Sequence, residues 1–320
     1  MLNFHVVNSV KGGCGKTTVS LYLANYLRKQ DNHYPVIIDL DICGSTWYSN
    51  NESYIKKEGK VTFLNDLFYN FDRNASTNYL TKLNIKDASK DEQLKVVMVD
   101  SDRLTSMDDE TLDIIENTIF QLVYQLSSPQ YDADGKLEKE ITDIIFDLPP
   151  GYEKHSERMV RHLLMNLRSP LYKKLDNYEI YLYMVSNLNV AAFEANLNYV
   201  YNLFENPQYS MDNSILNKQN IIFILNDISD ILSNFRVGNP DGKIKELITT
   251  FEGGKKEAFS ECKVGVLPHI NFEYEAKRLK NIIKLEEEED RGLKYLDFKT
   301  GDKEPFENIF KEFLGIGEKS

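Results

Sequence analysis

The sequence predicts an α/β fold, a doubly wound and mostly parallel sheet flanked by helices, and three observations carry that prediction. First, an apolar β-like run at Phe4 to Val7 leads into a glycine-rich loop, Ser9 to Thr18. An amphipathic helix pattern follows at Leu21, Leu23, Ala24 and Leu27. Second, two further apolar runs, Tyr34 to Leu40 and Ile141 to Gly151, meet carboxylates where the strand should end: Asp39 and Asp41, then Asp147. Third, strand-like and helix-like patterns alternate down the chain, which implies parallel strands joined by helical crossovers. Such a sheet binds ligands at the C-terminal edge of its strands.

In chain order, Tyr34 to Leu40 reads as a buried strand, and alternation puts Asp39 and Asp41 on the same side of its end. Residues 47–92 are polar, with helical spacing at Val61 to Tyr69. Leu94 to Val99 is β-like, and Leu112, Ile115, Ile119, Leu122 and Val123 form one face of a helix. Residues 127–140 read as an exposed turn with Asp134-Gly135 at its tip, either decoration or a small partner-binding hairpin. Strands are expected at Tyr178 to Val185, at Asn220 to Leu225 ending in Asn226, and at Lys263 to Leu267 before Pro268. A helix is expected at Asn189 to Leu203. Phe272 to Lys284 again has helical spacing, and Pro305 to Ile316 places Phe306, Ile309, Phe310, Phe313 and Leu314 on one face. The whole reads as a single domain over 1–320, with insertion-like segments around 47–92 and 127–140 and a C-terminal helix around 304–316.

Composition narrows the class. Hydrophobic residues at 42% are ample for a core, and 19 Tyr and 17 Phe supply large packing groups. A net charge of −12 argues against a surface that coats nucleic acid throughout, although a local basic patch is compatible with it. Cys14, Cys43 and Cys262 form no C-x-x-C pair, so neither a zinc nor an iron–sulfur site is suggested. The N-terminus opens on a β-like run instead of a basic-then-apolar leader, and no apolar run approaches roughly 18 residues, so a soluble cytoplasmic protein is expected.

The loop itself, Ser9-Val10-Lys11-Gly12-Gly13-Cys14-Gly15-Lys16-Thr17-Thr18, carries the chemistry. Its glycines let the backbone curl so that successive N–H groups face phosphate oxygens. Lys16 would reach the β- and γ-phosphates, the Thr17 hydroxyl would ligate Mg²⁺, and the helix N-terminus adds positive potential. The ordinary pattern G-x-x-x-x-G-K-[ST] fails, because Val10 stands where its first glycine should be and Lys11 precedes Gly12-Gly13. This resembles the deviant Walker A loop, K-G-G-x-G-K-T, of the ParA/MinD superfamily of dimeric ATPases. The resemblance implies that Lys11 crosses a dimer interface to the partner subunit's nucleotide.

Two further motifs extend the resemblance. Asp39-Leu40-Asp41-Ile42-Cys43-Gly44-Ser45 is similar to the family's D-x-D-P-Q-G-[NS], with Ile42-Cys43 replacing Pro-Gln. The resemblance implies that Asp41 positions or polarises the attacking water, and that Asp39 supports the Mg²⁺ shell and the switch. Asp147-Leu148-Pro149-Pro150 resembles the family's Walker B and second switch. A carboxylate there suits holding a Mg²⁺-bound water opposite Thr17, and the prolines stiffen a loop that must sense the γ-phosphate. In the same family an asparagine at Asn226 contacts the base, and the segment around Pro268 completes its pocket. A GTPase-type N-K-x-D is absent, which favours ATP over GTP.

The resemblance implies a ParA-like ATPase that forms an ATP-dependent sandwich homodimer and hydrolyses ATP slowly. The expected task is to segregate or position DNA or another large cargo. Catalysis would rest on Lys11, Lys16 and Asp41. Lys11, Gly12, Gly13, Cys14, Gly15, Lys16, Thr17, Thr18, Asn226 and Pro268 would hold ATP, with Thr17, Asp39 and Asp147 around Mg²⁺. The loop begins at residue 11, so no helix-turn-helix is expected ahead of it, and an adaptor of ParB type is implied. Lys277, Arg278, Lys280 and Lys284 would offer a basic face to DNA phosphates. The acidic run Glu286 to Asp290 fits instead a solvated, neutralised helix.

Three alternatives belong to other classes: a MinD-like membrane-surface ATPase, a kinase-like relative acting on a small substrate, and a nucleotide-gated binding module with negligible turnover. Glu307, Glu312 and Glu318 against Lys311 and Lys319 make the tail a poor fit to an anionic bilayer, so packing on the body of the domain is expected.

Overall fold

The computed structural model describes residues 2–40, 86–87, 95–97, 109–128, 140–150, 178–187, 190–205, 216–228, 262–268 and 300–315. Asp41, the helical spacings at 61–69 and 272–284 and the turn tip at 134–135 lie outside these residues.

Among the described residues the chain runs β1 (Leu2–Asn8), α1 (Lys16–Leu27), β2 (Pro35–Asp39), β3 (Lys86–Asp87), β4 (Lys95–Val97), α2 (Asp109–Leu126) and β5 (Asp143–Asp147). It continues through β6 (Tyr178–Ser186), α3 (Val190–Glu205), β7 (Ile221–Ile228), β8 (Lys263–Pro268) and α4 (Thr300–Leu314). The strands form one eight-stranded sheet in the order β3-β4-β2-β5-β1-β6-β7-β8. Every neighbouring pair is parallel except β3 and β4. The central strands read as nearly continuous apolar runs because both faces are covered. Two-residue β3, within the polar 47–92 segment, carries no such signal.

Alternation along each strand divides the core into two layers. Phe4, Val6, Ile38, Phe146 and Phe223 face α2 and α3, meeting Ile119, Leu122, Phe193, Leu197 and Val200. Val7, Ile37, Ile145, Tyr183 and Ile224 face α1 and α4, meeting Leu23, Leu27, Phe310 and Phe313. The fold is therefore doubly wound. A fully buried side chain of the size of Phe4, Phe146 or Phe223 stabilises it by about 1.5–3 kcal/mol relative to exposure.

The C-terminal helix docks on the body, as its apolar face suggests. Phe310 packs its ring on Tyr26 of α1 at 5.9 Å, and Phe313 meets Tyr183 at 5.3 Å and Tyr181 at 5.7 Å. Lys29 pairs with Glu307 at 3.1 Å. Gly315, at φ +65°, closes the helix with its N–H on the Lys311 carbonyl at 3.0 Å. The Lys263 ammonium donates to the Phe313 carbonyl at 3.1 Å, satisfying a terminal helix acceptor.

At the edge where β1 and β5 begin, Asp143 is fully buried and accepts four hydrogen bonds. These come from Asn3 Nδ2 (2.9 Å), His5 Nε2 (3.1 Å), His33 Nδ1 (2.7 Å) and Thr142 Oγ1 (2.6 Å). A carboxylate can only accept, so His5 carries a proton on Nε2, and its Nδ1 pairs with the Tyr183 hydroxyl 3.0 Å away. Burial above all pushes the Tyr183 hydroxyl up, which keeps it a donor. Burial opposes ionisation of Asp143, yet hydrogen bonds and charge from His33 and His5 overcome it and hold the carboxyl well below the usual range.

Candidate functional site

The end of β1 enters the loop through three side-chain tethers. Asn8 Oδ1 accepts the Ser9 N–H at 2.8 Å, Ser9 Oγ donates to the Lys11 carbonyl at 2.8 Å, and Asn196 Oδ1 accepts the Val10 N–H at 2.9 Å. Lys11, Gly12 and Gly13 are then exposed, whereas Cys14 and Lys16 are buried. Gly13 at φ +73° and Gly15 at φ +90° occupy the left-handed region that glycine enters without a Cβ penalty. Gly15 is the N-cap of α1, and among the described residues no side chain caps that helix.

Neighbouring strand ends bring the other motifs in. Asp39 and Asp147 are direct register partners on β2 and β5, and Asp147 also sits opposite Val7 of β1. Both aspartates are fully buried. They share the strand face of Ile37 and Ile145, the side covered by α1. Backbone bonds lock these ends: the Leu40 N–H to the Asp147 carbonyl at 2.9 Å, and the Leu148 N–H to the Val7 carbonyl at 3.2 Å. A Cβ built at Gly12 would lie 3.6 Å from Pro150, so the loop rests against the D-x-P-P segment. From the far side, Asn226 Nδ2 donates to the Cys14 carbonyl at 3.0 Å. A Cβ at Gly15 would lie 2.1 Å from that same nitrogen.

The structure thus brings Lys11 through Thr18, Asp39, Asp147 and Asn226 together at the C-terminal edge of the sheet, while Asp41 lies outside the described residues. Pro268 is the last residue of β8, at the same edge. Sequence reasoning ended the β7 strand at Asn226; instead β7 runs on to Ile228, with a register irregularity between Leu225 and Ile228 that turns Asn226 to the loop. Asn196 was missed altogether. It stands among the apolar residues of α3, where a polar residue inside the stripe was the available signal.

These residues fit a nucleotide phosphate and a hard cation. Positive-φ glycines before an uncapped helix start aim backbone N–H groups at an anion, beside the buried Lys16. A threonine hydroxyl in the first turn and two carboxylates on adjacent strand ends form an all-oxygen donor set suited to Mg²⁺.

Residues 1–51 match the ParA family, described as an iron-transfer P-loop NTPase of NUBPL type. Over its length the chain has the fold of MinD from the MinC:MinD cell division complex of Aquifex aeolicus. The two share 16% identity at a TM-score of 0.55, with 100% of this chain and 98% of that one covered. In motif and fold the chain resembles the ParA/MinD superfamily. The chain is also similar to a single-residue variant of Cyanothece McdA in complex with ATP (15% identity, TM-score 0.57, 100% and 98% covered). A Borrelia burgdorferi B31 putative plasmid partition protein bound to AMPPNP is similar too (17% identity, TM-score 0.54, 98% and 99% covered). No curated protein matches the chain in sequence. No helix among the described residues is long and apolar enough to cross a membrane.

Proposed function

We propose that this chain is a member of the ParA/MinD superfamily, a Mg²⁺-dependent ATPase that forms an ATP-dependent sandwich homodimer and positions a large cargo, DNA foremost. The observation that carries the reading is the pair of lysines on the loop: Lys16 buried at the start of α1, and Lys11 exposed on the rim. A buried lysine serves the chain's own phosphates, and an exposed one is available to a second copy. ATP with Mg²⁺ supplies a phosphoanhydride whose cleavage needs positioning and charge neutralisation. Lys16 and the N–H groups of Gly13 to Thr18 bind and orient the phosphates. Thr17, Asp39 and Asp147 would hold the cation's oxygen shell, Asp41 would position or polarise the attacking water, and Asn226 and Pro268 would flank the base.

The ATP-bound and AMPPNP-bound relatives support a nucleotide of this class. The absence of a C-x-x-C pair in the sequence weighs against iron–sulfur transfer. Burial of Phe310 and Phe313 on α1 and β6 supports a body-docked tail over a membrane-lying one. A ParB-type adaptor and non-specific DNA contact complete the proposal.

The test is size-exclusion mass analysis of wild type, Lys16→Ala and Asp41→Ala with ADP and with ATP, alongside phosphate release with and without non-specific DNA. The expected result is an ATP-only dimer, trapped in Asp41→Ala and absent in Lys16→Ala, with DNA-stimulated turnover in wild type. A wild type that stays monomeric in ATP would overturn the sandwich. Dimerisation without a response to DNA would remove DNA as the track.

A further inference from the structure

The buried amide of Asn196 does something the motifs do not explain. It lies on α3, is 1% exposed, and is surrounded in sequence by the core residues Phe193, Leu197 and Val200. Both ends of the amide are engaged: Nδ2 donates to the Val185 carbonyl of β6 at 2.9 Å, and Oδ1 accepts the Val10 N–H at 2.9 Å. A carbonyl can only accept and an N–H can only donate, so these two partners fix the orientation of the amide. A polar side chain in an apolar helix face is costly unless fully satisfied, and here satisfaction ties a core strand to the loop.

Where that tie falls gives it meaning. Val10 stands where an ordinary phosphate loop has its first glycine, and the next residue is the exposed Lys11. Ser9 Oγ braces the same turn from within, through the Lys11 carbonyl at 2.8 Å and the Lys11 N–H at 3.3 Å. The loop downstream rests on other supports, with Asn226 holding Cys14 and α1 holding Lys16.

We propose that Asn196 is a positioning residue that fixes the backbone at Val10 and so sets the direction in which Lys11 leaves the loop. The inference rests on the sandwich reading above for the use to which Lys11 is put. It predicts a split: loss of Asn196 loosens the Val10–Lys11 turn and weakens the ATP-driven dimer, while nucleotide binding by one subunit, carried by Gly13 to Thr18, stays nearly unchanged.

The experiment compares wild type, Asn196→Ala, Asn196→Asp and Lys11→Ala by three readouts. These are amide hydrogen exchange at residues 9–13, affinity for a fluorescent ATP analogue at concentrations below dimerisation, and the dimer dissociation constant in ATP. Asn196→Asp keeps an acceptor for the Val10 N–H but loses the donor to the Val185 carbonyl, so it separates the two halves of the tie. Expected for Asn196→Ala are about tenfold faster exchange at Val10 and a dimer weakened at least tenfold, with analogue affinity within about threefold of wild type. Asn196→Asp should recover only part of the protection at Val10, because its second oxygen faces the Val185 carbonyl. Unchanged exchange at Val10 would overturn the proposal, as would parallel losses in monomer affinity and dimerisation, which mark a general structural defect. If wild type itself fails to dimerise, the sandwich reading falls. Asn196 is then judged by exchange alone, with slow exchange retained in Asn196→Ala refuting it.

Discussion

Replacing Asp143 by Asn tests the polar cluster under the sheet, because the change preserves volume, removes the charge and turns one accepting oxygen into a donor. The Asp143 carboxylate lies fully buried and accepts from Asn3, His5, His33 and Thr142 at 2.6–3.1 Å. Hydrogen bonds to a charged group are each worth about 1.5–3 kcal/mol, offset by several kcal/mol of carboxylate desolvation. Breaking a buried ionic network by removing one partner costs about 3–5 kcal/mol, and the retained amide oxygen puts Asp143→Asn near about 3 kcal/mol. The assay is urea unfolding at constant m-value, so that the midpoint reports stability alone.

The sign of the pH dependence follows from the depressed carboxyl. Its stabilisation is fully present above the unfolded-state pKa and is lost as pH falls toward the folded value. With an unfolded Asp near pKa 3.9, the wild-type advantage over Asp143→Asn should narrow by about 1.2 kcal/mol between about pH 5 and about pH 3. A gap under about 1 kcal/mol at neutral pH, or one that does not change between those two pH values, would refute the reasoning.

Three other outcomes are expected. Gly15→Ala should weaken fluorescent-nucleotide binding at least about tenfold and lower stability by about 1–2 kcal/mol. Its φ of +90° and a Cβ 2.1 Å from Asn226 Nδ2 force the loop or that amide to move. Phe310→Ala should cost about 3–5 kcal/mol in urea unfolding, since this fully buried ring joins α4 to Tyr26 and Tyr183. Gly265→Ala places a Cβ 3.1 Å from two Ile309 carbons and should cost about 1 kcal/mol, with Ile309→Val in the same chain recovering part of the loss.

The fold was legible because its signals are local. β1, β2, β5, β6 and β7 are apolar runs of strand length, and α2, α3 and α4 show helical spacing that matches the faces they bury. The loop was legible for the same reason, since Lys11 to Thr18 is contiguous and its glycines are needed where φ turns positive. What stayed hidden joins residues far apart in sequence. His5 reads as one polar residue in an apolar strand, and only the register of β1 against β5 and β6 sets it between Asp143 and Tyr183. The hydrogen bond from the Asn226 amide to the Cys14 carbonyl was equally hidden, since it joins the loop to a stretch where β7 departs from regular register beyond Leu225.

Asn196 and Asn226 together explain how a glycine-rich loop keeps its shape without rigid residues of its own. Glycine loses more conformational freedom on ordering than any other residue, so Gly12, Gly13 and Gly15 need support from outside the loop. Asn196 on α3 supplies it at the entry, through the Val10 N–H, and Asn226 on β7 supplies it at the exit, through the Cys14 carbonyl. Each amide stands on a packed element of the sheet or its covering layer, so the two ends of the loop are held by the core itself. Between them Lys11, Gly12 and Gly13 remain exposed, so the two glycines and the Lys11 ammonium can be reached by a ligand. Ordering at the ends is met when the chain folds. Binding then has only the exposed middle left to order, which is the condition for tight recognition of an anion by backbone N–H groups.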